Sequence, residues 1–488
     1  MDTALVWFRR DLRLADNPAL SAAVERHDRL IALYIHDPEA EAPWLPGAAS
    51  DWWLHHSLEA LDKQLRKQGG QLLIVGGDAL PILRKLIDDC QISAVYWNRL
   101  YEPALIARDK QIKQALKDEG LTVESFNGNL LFEPWQIQNG SGQPYRVFTP
   151  YWRSLQAGLL QQIREGRSPL KSPSNMVFAR VDAIQTVDSL KLLPKLDWDA
   201  GFAENWKPGE KQAESKVAAF IETDIEHYGG LRDRPNHDGT SGLSAALHFG
   251  EISPFRLMAL AETQAAGSSA PGVVANTEQF VRQLGWRDFA HHLLYHFPHT
   301  ADSPLNERFE SFSWRDPKDY AADLAGWQRG RTGIPIVDAG MRQLWHCGWM
   351  HNRVRMIAAS FLCKNLLIPW QEGARWFWDT LVDADLANNS MGWQWVAGSG
   401  ADAAPYFRIF NPVLQSKKFD PEGHYLRRWI PELSDLDSKA IHAPWQSSEA
   451  QLAQARLKLG VDYPLPMVDL GLSRKRALEI YQQSRSPS

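Results

Sequence analysis

Asp383, Asp385, Asn389, Trp393 and Trp395 bring carboxylates, an amide and indoles into one short stretch of the chain. The stretch is too polar for an ordinary core segment and too aromatic for an ordinary surface loop, so it indicates a buried polar site. Its asparagines and glycine would also suit the end of a helix and the turn that follows. The stretch alone leaves that interpretation open.

Two arginines upstream support the first interpretation. Arg353 and Arg355 lie among apolar residues, and a buried guanidinium needs an anionic partner. Asp383 and Asp385 are available partners. The two stretches are therefore predicted to meet in the folded protein.

These segments resemble a known family. Residues 349–356, 383–395 and 402–412 closely resemble the photolyase/cryptochrome family of FAD-containing blue-light proteins, and the resemblance runs from Val6 to about Leu470. It implies light-driven repair of cyclobutane pyrimidine dimers in UV-damaged DNA. Excited reduced FAD passes an electron to a flipped-out dimer, the cyclobutane opens, and the electron returns, with no net redox change and no metal.

The resemblance implies a role for each residue of the polar stretch. Arg355 and Asp383 form the ion pair beside the flavin ring, Asp385 caps the pocket, and Asn389 faces ring atom N5, where an amide can accept or donate a hydrogen bond by turning. The residues implied to contact FAD are Tyr228, Thr240, Ser241, Gly242, Leu243, Ser244, Arg355, Asp383, Ala384, Asp385 and Asn389.

The segment 240–244 also suits the flavin diphosphate by its own chemistry. It places hydroxyl groups and a glycine just before a helical pattern, and the N-terminus of a helix, with its free N–H groups, attracts anions. The same residues could be no more than a helix cap.

Three tryptophans, Trp393, Trp370 and Trp314, are implied by the resemblance to relay electrons between the flavin and the surface. Indole is among the most easily oxidised side chains, so a row of such rings can serve this purpose. The chain has 21 tryptophans, and most are expected to fill a large helical core. Trp370 and Trp314 could equally be packing residues.

The substrate side is expected to combine a flat apolar wall with polar groups for the pyrimidine edges. By resemblance, Trp286 and Trp395 form the wall, Gln283 and Asn352 supply the polar edge, and Met356 lies beside them. The residues predicted to contact DNA are Arg232, Arg287, Asn352, Arg353, Arg408, Gln415 and Lys417.

Two positions depart from the best-known cyclobutane enzymes. Those enzymes carry Glu in place of Gln283 and a Leu-Ile or similar pair in place of Leu284 and Gly285. Gln is also typical of the (6-4) branch, but that branch carries a second histidine where this chain has Met356. Residues 280–287 are most similar to the class III branch, which lies nearest to plant cryptochromes.

A second chromophore is expected on the N-terminal domain. Trp52, Trp53 and Glu102 are the candidate lining residues, because a pterin or deazaflavin needs an aromatic face and an acidic edge. The two tryptophans could equally pack a helix against a sheet. Resemblance to class III favours 5,10-methenyltetrahydrofolate as the antenna.

The elements that must position these residues follow two patterns. Apolar runs alternate with helical patterns up to residue 126, which predicts an α/β domain with a five-stranded, parallel, Rossmann-like sheet covered by helices on both faces. No glycine-rich phosphate motif follows the first strand, so no nucleotide site is predicted there. The predicted strands are Ala4–Phe8, Leu30–Ile35, Gln71–Val75, Ala94–Trp97 and Thr122–Phe126, and the helices Pro18–Glu25, Asp51–Gln68, Ala79–Cys90 and Ala104–Glu119.

Helical patterns dominate the rest of the chain. We predict four parts: residues 1–130, an α/β antenna-binding domain; 131–214, a long connector over the surface with one short helix; 215–470, an all-α FAD-binding domain; and 471–488, a polar tail.

Composition limits the remaining possibilities. With 44% apolar and 23% charged residues, no apolar run of 18 residues and no signal pattern, the chain is expected to be a cytoplasmic monomer. Its three cysteines lack metal-binding spacing and are expected to be reduced.

The net charge is −5, yet residues 329–364 carry six cations against one anion. This local excess of positive charge predicts a cationic face for DNA.

Two other functions fit part of this pattern. A cryptochrome would signal without repair, but cryptochromes usually carry a C-terminal extension and lose the dimer pocket. This chain lacks such an extension and keeps Trp286, Asn352, Met356 and Trp395. A flavin electron-transfer protein would leave the cationic face unexplained.

Overall fold

In the computed structural model, which describes residues 2–182 and 185–484, the N-terminal unit is built on a five-stranded parallel sheet with strand order β3-β2-β1-β4-β5. The sheet confirms the prediction, and no strand end differs from its predicted position by more than one residue. The strands are β1 (Thr3–Phe8), β2 (Arg29–His36), β3 (Leu72–Gly76), β4 (Ala94–Asn98) and β5 (Thr122–Phe126).

Helices cover both faces of this sheet. Val6 and Phe8 of β1 join a core with α1 (Pro18–Arg26) and α2 (Ala48–Lys67), whereas Trp7 points to the opposite core. The helices of that second face are α3 (Ala79–Cys90) and α4 (Pro103–Asp118). Burial on both faces explains why these strands read as nearly continuous apolar runs.

The connector is more ordered than the sequence suggests. Its helix α5 (Phe148–Arg164) has 17 residues, whereas a short helix was predicted. Phe148, Tyr151, Leu155 and Leu159 are all buried, at the spacing of one helical face. The connector therefore packs into the core here instead of lying over the surface. Its later elements are the 3₁₀ turns Val187–Leu190 and Asp197–Asp199 and α6 (Phe202–Asn205).

The rest of the chain forms a helical unit, as predicted. It includes α7 (Glu210–Ala219), α8 (Tyr228–Leu231), α9 (Ser244–His248), α10 (Pro254–Gly267), α11 (Val273–His296), α12 (Pro317–Gln328), α13 (Pro335–Cys347), α14 (Asn352–Ser360), α15 (Trp370–Thr380), α16 (Leu386–Ala397), α17 (Pro412–Phe419), α18 (His424–Trp429), α19 (Glu449–Gln454) and α20 (Leu470–Gln483). Over the ranges that the structure describes, no helix is both long enough and apolar enough to cross a bilayer.

Helix α20 differs from the expected polar tail. Asp469 caps its first turn, and Ala477, Ile480 and Tyr481 pack against an aromatic cluster around Phe309. These three residues lie on one face and anchor the helix against that cluster. The last four residues of the predicted tail lie outside the described residues.

The loop after β1 joins the two units. Leu12 N donates to Phe249 O at 3.1 Å, and the buried Arg13 donates to Gly250 O at 2.9 Å and to Gly128 O at 2.6 Å. Gly250 has a φ of +67°, and a side chain there would overlap the backbone of the loop. Only glycine allows this approach, which fixes the N-terminal unit against the helices that build the site.

Candidate flavin and substrate site

The largest cavity of the helical unit has a volume of about 540 Å³, within the usual range for cofactor sites. All eleven residues predicted to contact FAD line it, together with the five predicted catalytic residues and Trp393. Residues that are far apart in the sequence thus meet around one space. The sequence analysis missed other lining residues, among them Leu247, His248, Phe280, Trp349, Phe377, Asn388 and Met391.

Helix α16 presents the polar stretch to this cavity. Asp385 is its N-cap, and the Oδ1 atom accepts hydrogen bonds from Asn388 N at 2.9 Å and Asn388 Nδ2 at 2.7 Å. Gly398, with a φ of +87°, ends the helix. The helix-end interpretation is therefore wrong for Asn388, Asn389 and Gly392, which lie inside the helix and line the cavity.

Two buried histidines hold the other oxygen of Asp385. Its Oδ2 lies 3.3 Å from His248 Nδ1 and 3.4 Å from His291 Nε2. Burial alone would raise the pKa of Asp385, but the two histidines outweigh it and hold that pKa well below its usual value. Burial lowers the pKa of His248, whereas Asp385 overcomes burial and raises the pKa of His291. The electrostatics of this buried pair therefore favour the charged forms of Asp385 and His291.

The predicted ion pair between Arg355 and Asp383 is present. Arg355 Nη2 lies 2.9 Å from Asp383 Oδ2, and Arg355 Nε donates to Met350 O at 2.7 Å. Asp383 Oδ1 is buried and has no hydrogen-bond partner within the described part of the chain. A buried carboxylate oxygen without a partner requires a donor, and the ring N–H groups of a flavin provide one. The residues present therefore fit FAD.

Asn389 is held by helix α15. Its Nδ2 donates to Ala374 O at 2.9 Å, which leaves the amide oxygen to face a ligand. Turning the amide, as the sequence analysis considers, would break this bond. The structure thus favours Asn389 as an acceptor toward the cavity.

The segment 240–244 forms a tight loop rather than a strong helix N-terminus. Gly242 has a φ of +58°, and α9, which starts at Ser244, has only five residues. A Cβ atom on Gly242 would lie 2.7 Å from Lys216 Nζ. The ammonium group of Lys216, which the sequence analysis missed, adds a positive charge beside this loop and suits a diphosphate.

Trp393 forms part of the cavity wall, and its ring lies edge-on to Phe377 at 5.0 Å and to Trp327 at 6.2 Å. A side chain on Gly373 would overlap this ring, so α15 and α16 lock its position. Trp370 is buried in the same core cluster, and Trp314 packs against that cluster while half-buried. The three predicted relay tryptophans thus range from the cavity wall to the partly exposed surface.

The substrate wall depends on the connector. Phe148 of α5 stacks on Trp286 with ring centroids 3.6 Å apart and planes 9° apart, so one face of the indole is already covered. A side chain on Gly285 would overlap Trp152 of the same helix. This contact explains the glycine where the best-known cyclobutane enzymes have a larger residue. Neither Phe148 nor Trp152 was predicted.

The polar edge of the cavity contains Gln283 and Asn352. Gln283 Oε1 accepts from Arg232 Nη2 at 3.2 Å, and its Nε2 donates to Gln279 O at 3.2 Å. Asn352 is exposed, and its Nδ2 lies 3.9 Å from the sulfur of Met356. The two amides line the same cavity as the indoles of Trp286 and Trp395.

The predicted DNA contacts separate into two groups. Arg408 and Lys417 are exposed, and Gln415 is half-buried. Arg353 is paired with Asp233 at 2.8 Å, and Arg287 donates to backbone oxygens, including Asn129 O at 2.6 Å. Arg287 therefore differs from the expected phosphate contact, because it ties the end of the N-terminal domain to the cavity wall.

The cationic face is smaller than the charge count suggests. Arg342 pairs with Glu432 at 2.9 Å, and Arg355 pairs with Asp383. Lys364 is buried, and burial lowers its pKa to about 8. Formal charge along the sequence cannot separate exposed cations from those with internal partners.

The predicted antenna residues do not line a cavity. Trp52 and Trp53 are buried, with Trp52 packed on Phe202 and Trp53 Nε1 donating to Glu251 at 3.0 Å. Glu102 forms an ion pair with Arg10. The packing of Trp52 and Trp53 agrees with the alternative that the sequence left open for these two residues.

A second, smaller cavity lies beside Arg10. It has a volume of about 60 Å³ and includes Tyr34, His36 and Arg108, and it shares His248 with the larger cavity. This volume is well below that of ordinary cofactor sites. This cavity by itself is therefore too small for a folate, and the 5,10-methenyltetrahydrofolate antenna stays a prediction.

A partly open pocket lined by carboxylates, amides and indoles suits a flavoprotein. Comparisons with known proteins agree with this class. Residues 4–173 match the family model of DNA photolyase, and residues 280–483 match that of the FAD binding domain of DNA photolyase.

Individual relatives cover almost the whole chain. A deoxyribodipyrimidine photo-lyase from Agrobacterium fabrum is 48% identical over 98% of this chain and 97% of that protein. Cryptochrome-1 from Arabidopsis thaliana is 37% identical over 98% of this chain and 70% of that protein. The crystal structure of a bacterial class III photolyase from Agrobacterium tumefaciens has a TM-score of 0.92 at 46% identity, covering 99% of this chain and 98% of that chain.

The chain belongs to the photolyase/cryptochrome family. This confirms the family resemblance, the two-part fold and FAD as the cofactor.

Proposed function

We propose that the protein repairs cyclobutane pyrimidine dimers in DNA with light and FAD, as a carbon–carbon lyase. One observation carries the proposal. A single cavity is lined both by the residues that suit the flavin, such as Asp383 and Asn389, and by those that suit a flipped dimer, such as Trp286, Asn352 and Trp395. A base lesion must leave the duplex to reach such a pocket.

The residues of the chain bind and orient the reacting partners. When bound, excited reduced FAD supplies the electron that opens the cyclobutane ring and takes it back. Arg355 and Asp383 hold the ring edge, and Asn389 offers its amide oxygen. Trp286 provides one free indole face, and Gln283 and Asn352 offer hydrogen bonds to the pyrimidine carbonyls. Trp393, Trp370 and Trp314 are proposed to bring electrons inward when the flavin is oxidised.

The histidine in this region argues against the (6-4) reaction. His351 is buried, caps α14 by accepting from Arg353 N at 3.1 Å, and does not line the cavity. Burial lowers the pKa of His351 to about 4, so its ring is neutral. Met356 lines the cavity at the position of the second histidine of that branch.

A photoreceptor role is the second candidate, because the chain is similar to a plant cryptochrome. The stacked Phe148–Trp286 pair and the amides beside it favour repair. A signalling protein has no need for such a wall.

The test uses an oligonucleotide with one cyclobutane thymine dimer and a matched one with a (6-4) lesion. Photoreduced protein is mixed with each and illuminated with blue light, and recovery of thymine absorbance is followed. We expect recovery for the cyclobutane substrate alone. Trp286→Ala should lose this recovery and keep flavin photoreduction, whereas the distant, exposed Trp345→Ala should keep both.

Failure of the wild type on both lesions, with ordinary photoreduction, would contradict repair and favour the photoreceptor. Recovery of the (6-4) lesion would contradict the assignment based on Met356.

Three further expectations accompany this proposal. The protein acts as a monomer. It works in the cytoplasm, where its three free cysteines remain reduced. The antenna is 5,10-methenyltetrahydrofolate, which the absorbance of the purified protein would reveal.

A further inference from the structure

We propose that helix α2 and the connector hold a divalent transition-metal ion between His55, His56, Glu59 and Asp188. Three of these residues, His55, His56 and Glu59, place their ligand atoms within 4.8 Å of one another. His55 Nε2 lies 3.6 Å from Glu59 Oε1 and 3.9 Å from Asp188 Oδ1, and His56 Nδ1 lies 3.3 Å from Glu59 Oε2. The cluster lies on the N-terminal unit, and none of its residues lines the flavin cavity.

The spacing on α2 suits chelation. Glu59 follows His55 by four residues and His56 by three, so its carboxylate can reach both rings from the next turn. Ligand atoms about 2.0–2.2 Å from a tetrahedral zinc ion lie roughly 3.3–3.5 Å apart. The observed separations of 3.3 and 3.6 Å match this value, and that of 3.9 Å needs only a small adjustment.

The chemical state of the ligands is also suitable. His55 is only 3% exposed, and a histidine binds a metal through its neutral imidazole. Glu59 and Asp188 are largely exposed on the opposite side, so an ion can enter from solvent. Two imidazoles and two carboxylates favour Zn²⁺, Co²⁺ or Ni²⁺ over Mg²⁺ and Ca²⁺.

The position of Asp188 suggests the role. It lies on the 3₁₀ turn Val187–Leu190 of the connector, whereas the other ligands belong to α2. A metal between them would clamp the connector to the N-terminal unit. The role is structural and independent of the light reaction, which needs no metal.

The test uses the full-length, FAD-loaded protein without a histidine tag, stripped with a chelator and dialysed. Zn²⁺ is titrated by calorimetry, and Co²⁺ is added to detect the strong visible absorption of a tetrahedral site. We expect one ion per chain. His56→Ala and Glu59→Gln should each weaken binding by at least about 10–100-fold. Both residues are outside the core, so folding is retained. His227→Ala, which removes the exposed histidine beside Glu226, is the matched control and should leave the affinity unchanged.

The clamp is tested separately by limited proteolysis of the connector. Zn²⁺ should slow cleavage between residues 166 and 209 in the wild type and have no such effect in Asp188→Asn. Absence of Zn²⁺ binding, or equal binding by His56→Ala and Glu59→Gln, would overturn the site. If Zn²⁺ slows proteolysis of the connector equally in wild type and Asp188→Asn, the clamp is overturned.

Discussion

Replacing Asp385 by Asn or by Ala separates its two contributions to stability, the helix cap and the pair with His291. This carboxylate caps helix α16 through Asn388 N and pairs with His291. Asp385→Asn retains an oxygen for the cap, because Asn is about as good an N-cap as Asp, and removes the negative charge. Asp385→Ala removes both.

The expected magnitudes follow from burial. Breaking a buried ion pair by removing one partner costs about 3–5 kcal/mol, and losing an N-cap costs about 0.5–2 kcal/mol. Asp385→Asn should therefore lose about 3 kcal/mol of unfolding free energy, and Asp385→Ala about 1 kcal/mol more. For Asp385→Asn we expect the low end of the range for a broken ion pair, because His291 can release its proton once the carboxylate is gone.

The loss should depend on pH. The pKa of His291 is raised in the folded wild type, so its stabilisation is complete below its unfolded pKa of about 6.5 and disappears as the pH rises through the folded value. The pKa of Asp385 is lowered, so its stabilisation is present above about pH 4 and is lost at lower pH. The difference between wild type and Asp385→Asn should be larger at pH 6 than at pH 9.

Urea unfolding of the FAD-loaded proteins, followed by circular dichroism and flavin fluorescence, measures this difference. Asp385→Ala controls for the cap. Equal stability of wild type and Asp385→Asn at pH 6, or a difference that does not shrink by pH 9, would refute the reasoning.

Three other substitutions test the site. Trp393→Phe should bind FAD normally but lose light-driven reduction, followed as bleaching of the flavin absorbance; ordinary photoreduction would reject the relay. Gly373→Ala forces the Trp393 ring to move, so it should destabilise the protein by about 1–3 kcal/mol and slow photoreduction; a stable, fully photoreducible variant would argue against the tight packing. Gln283→Glu places a charged group beside the dimer and Arg232, so repair per absorbed photon should rise severalfold at constant FAD content. An unchanged yield would mean that charge at this position does not matter.

The fold was predictable where local patterns decide it. Alternating β-rich and helical runs identified all five strands. Apolar residues dominate the first four, whereas β5 also contains Thr122, Glu124 and Ser125. Helix α5 was underestimated, because its apolar face is recognisable only when its partners in the helical unit are known. Phe148 matters because it stacks on Trp286, and no pattern in the sequence indicates that these two rings meet.

The site residues were predictable where they lie in the motifs that resemble the family. Asp383, Asp385 and Asn389 line the cavity as expected. The two histidines around Asp385 were missed, because neither has a sequence spacing to it that indicates contact. A further cation, on Lys216, was missed for the same reason.

The stacking of Phe148 on Trp286 makes the connector part of the recognition surface. Residues between the two domains are usually the most free to vary, since insertions there disturb no core. Here a change in α5 would tilt or uncover the indole on which a lesion rests. Natural variation in this segment should therefore alter which lesions are accepted, and a library confined to α5 offers a route to changed specificity without touching the flavin.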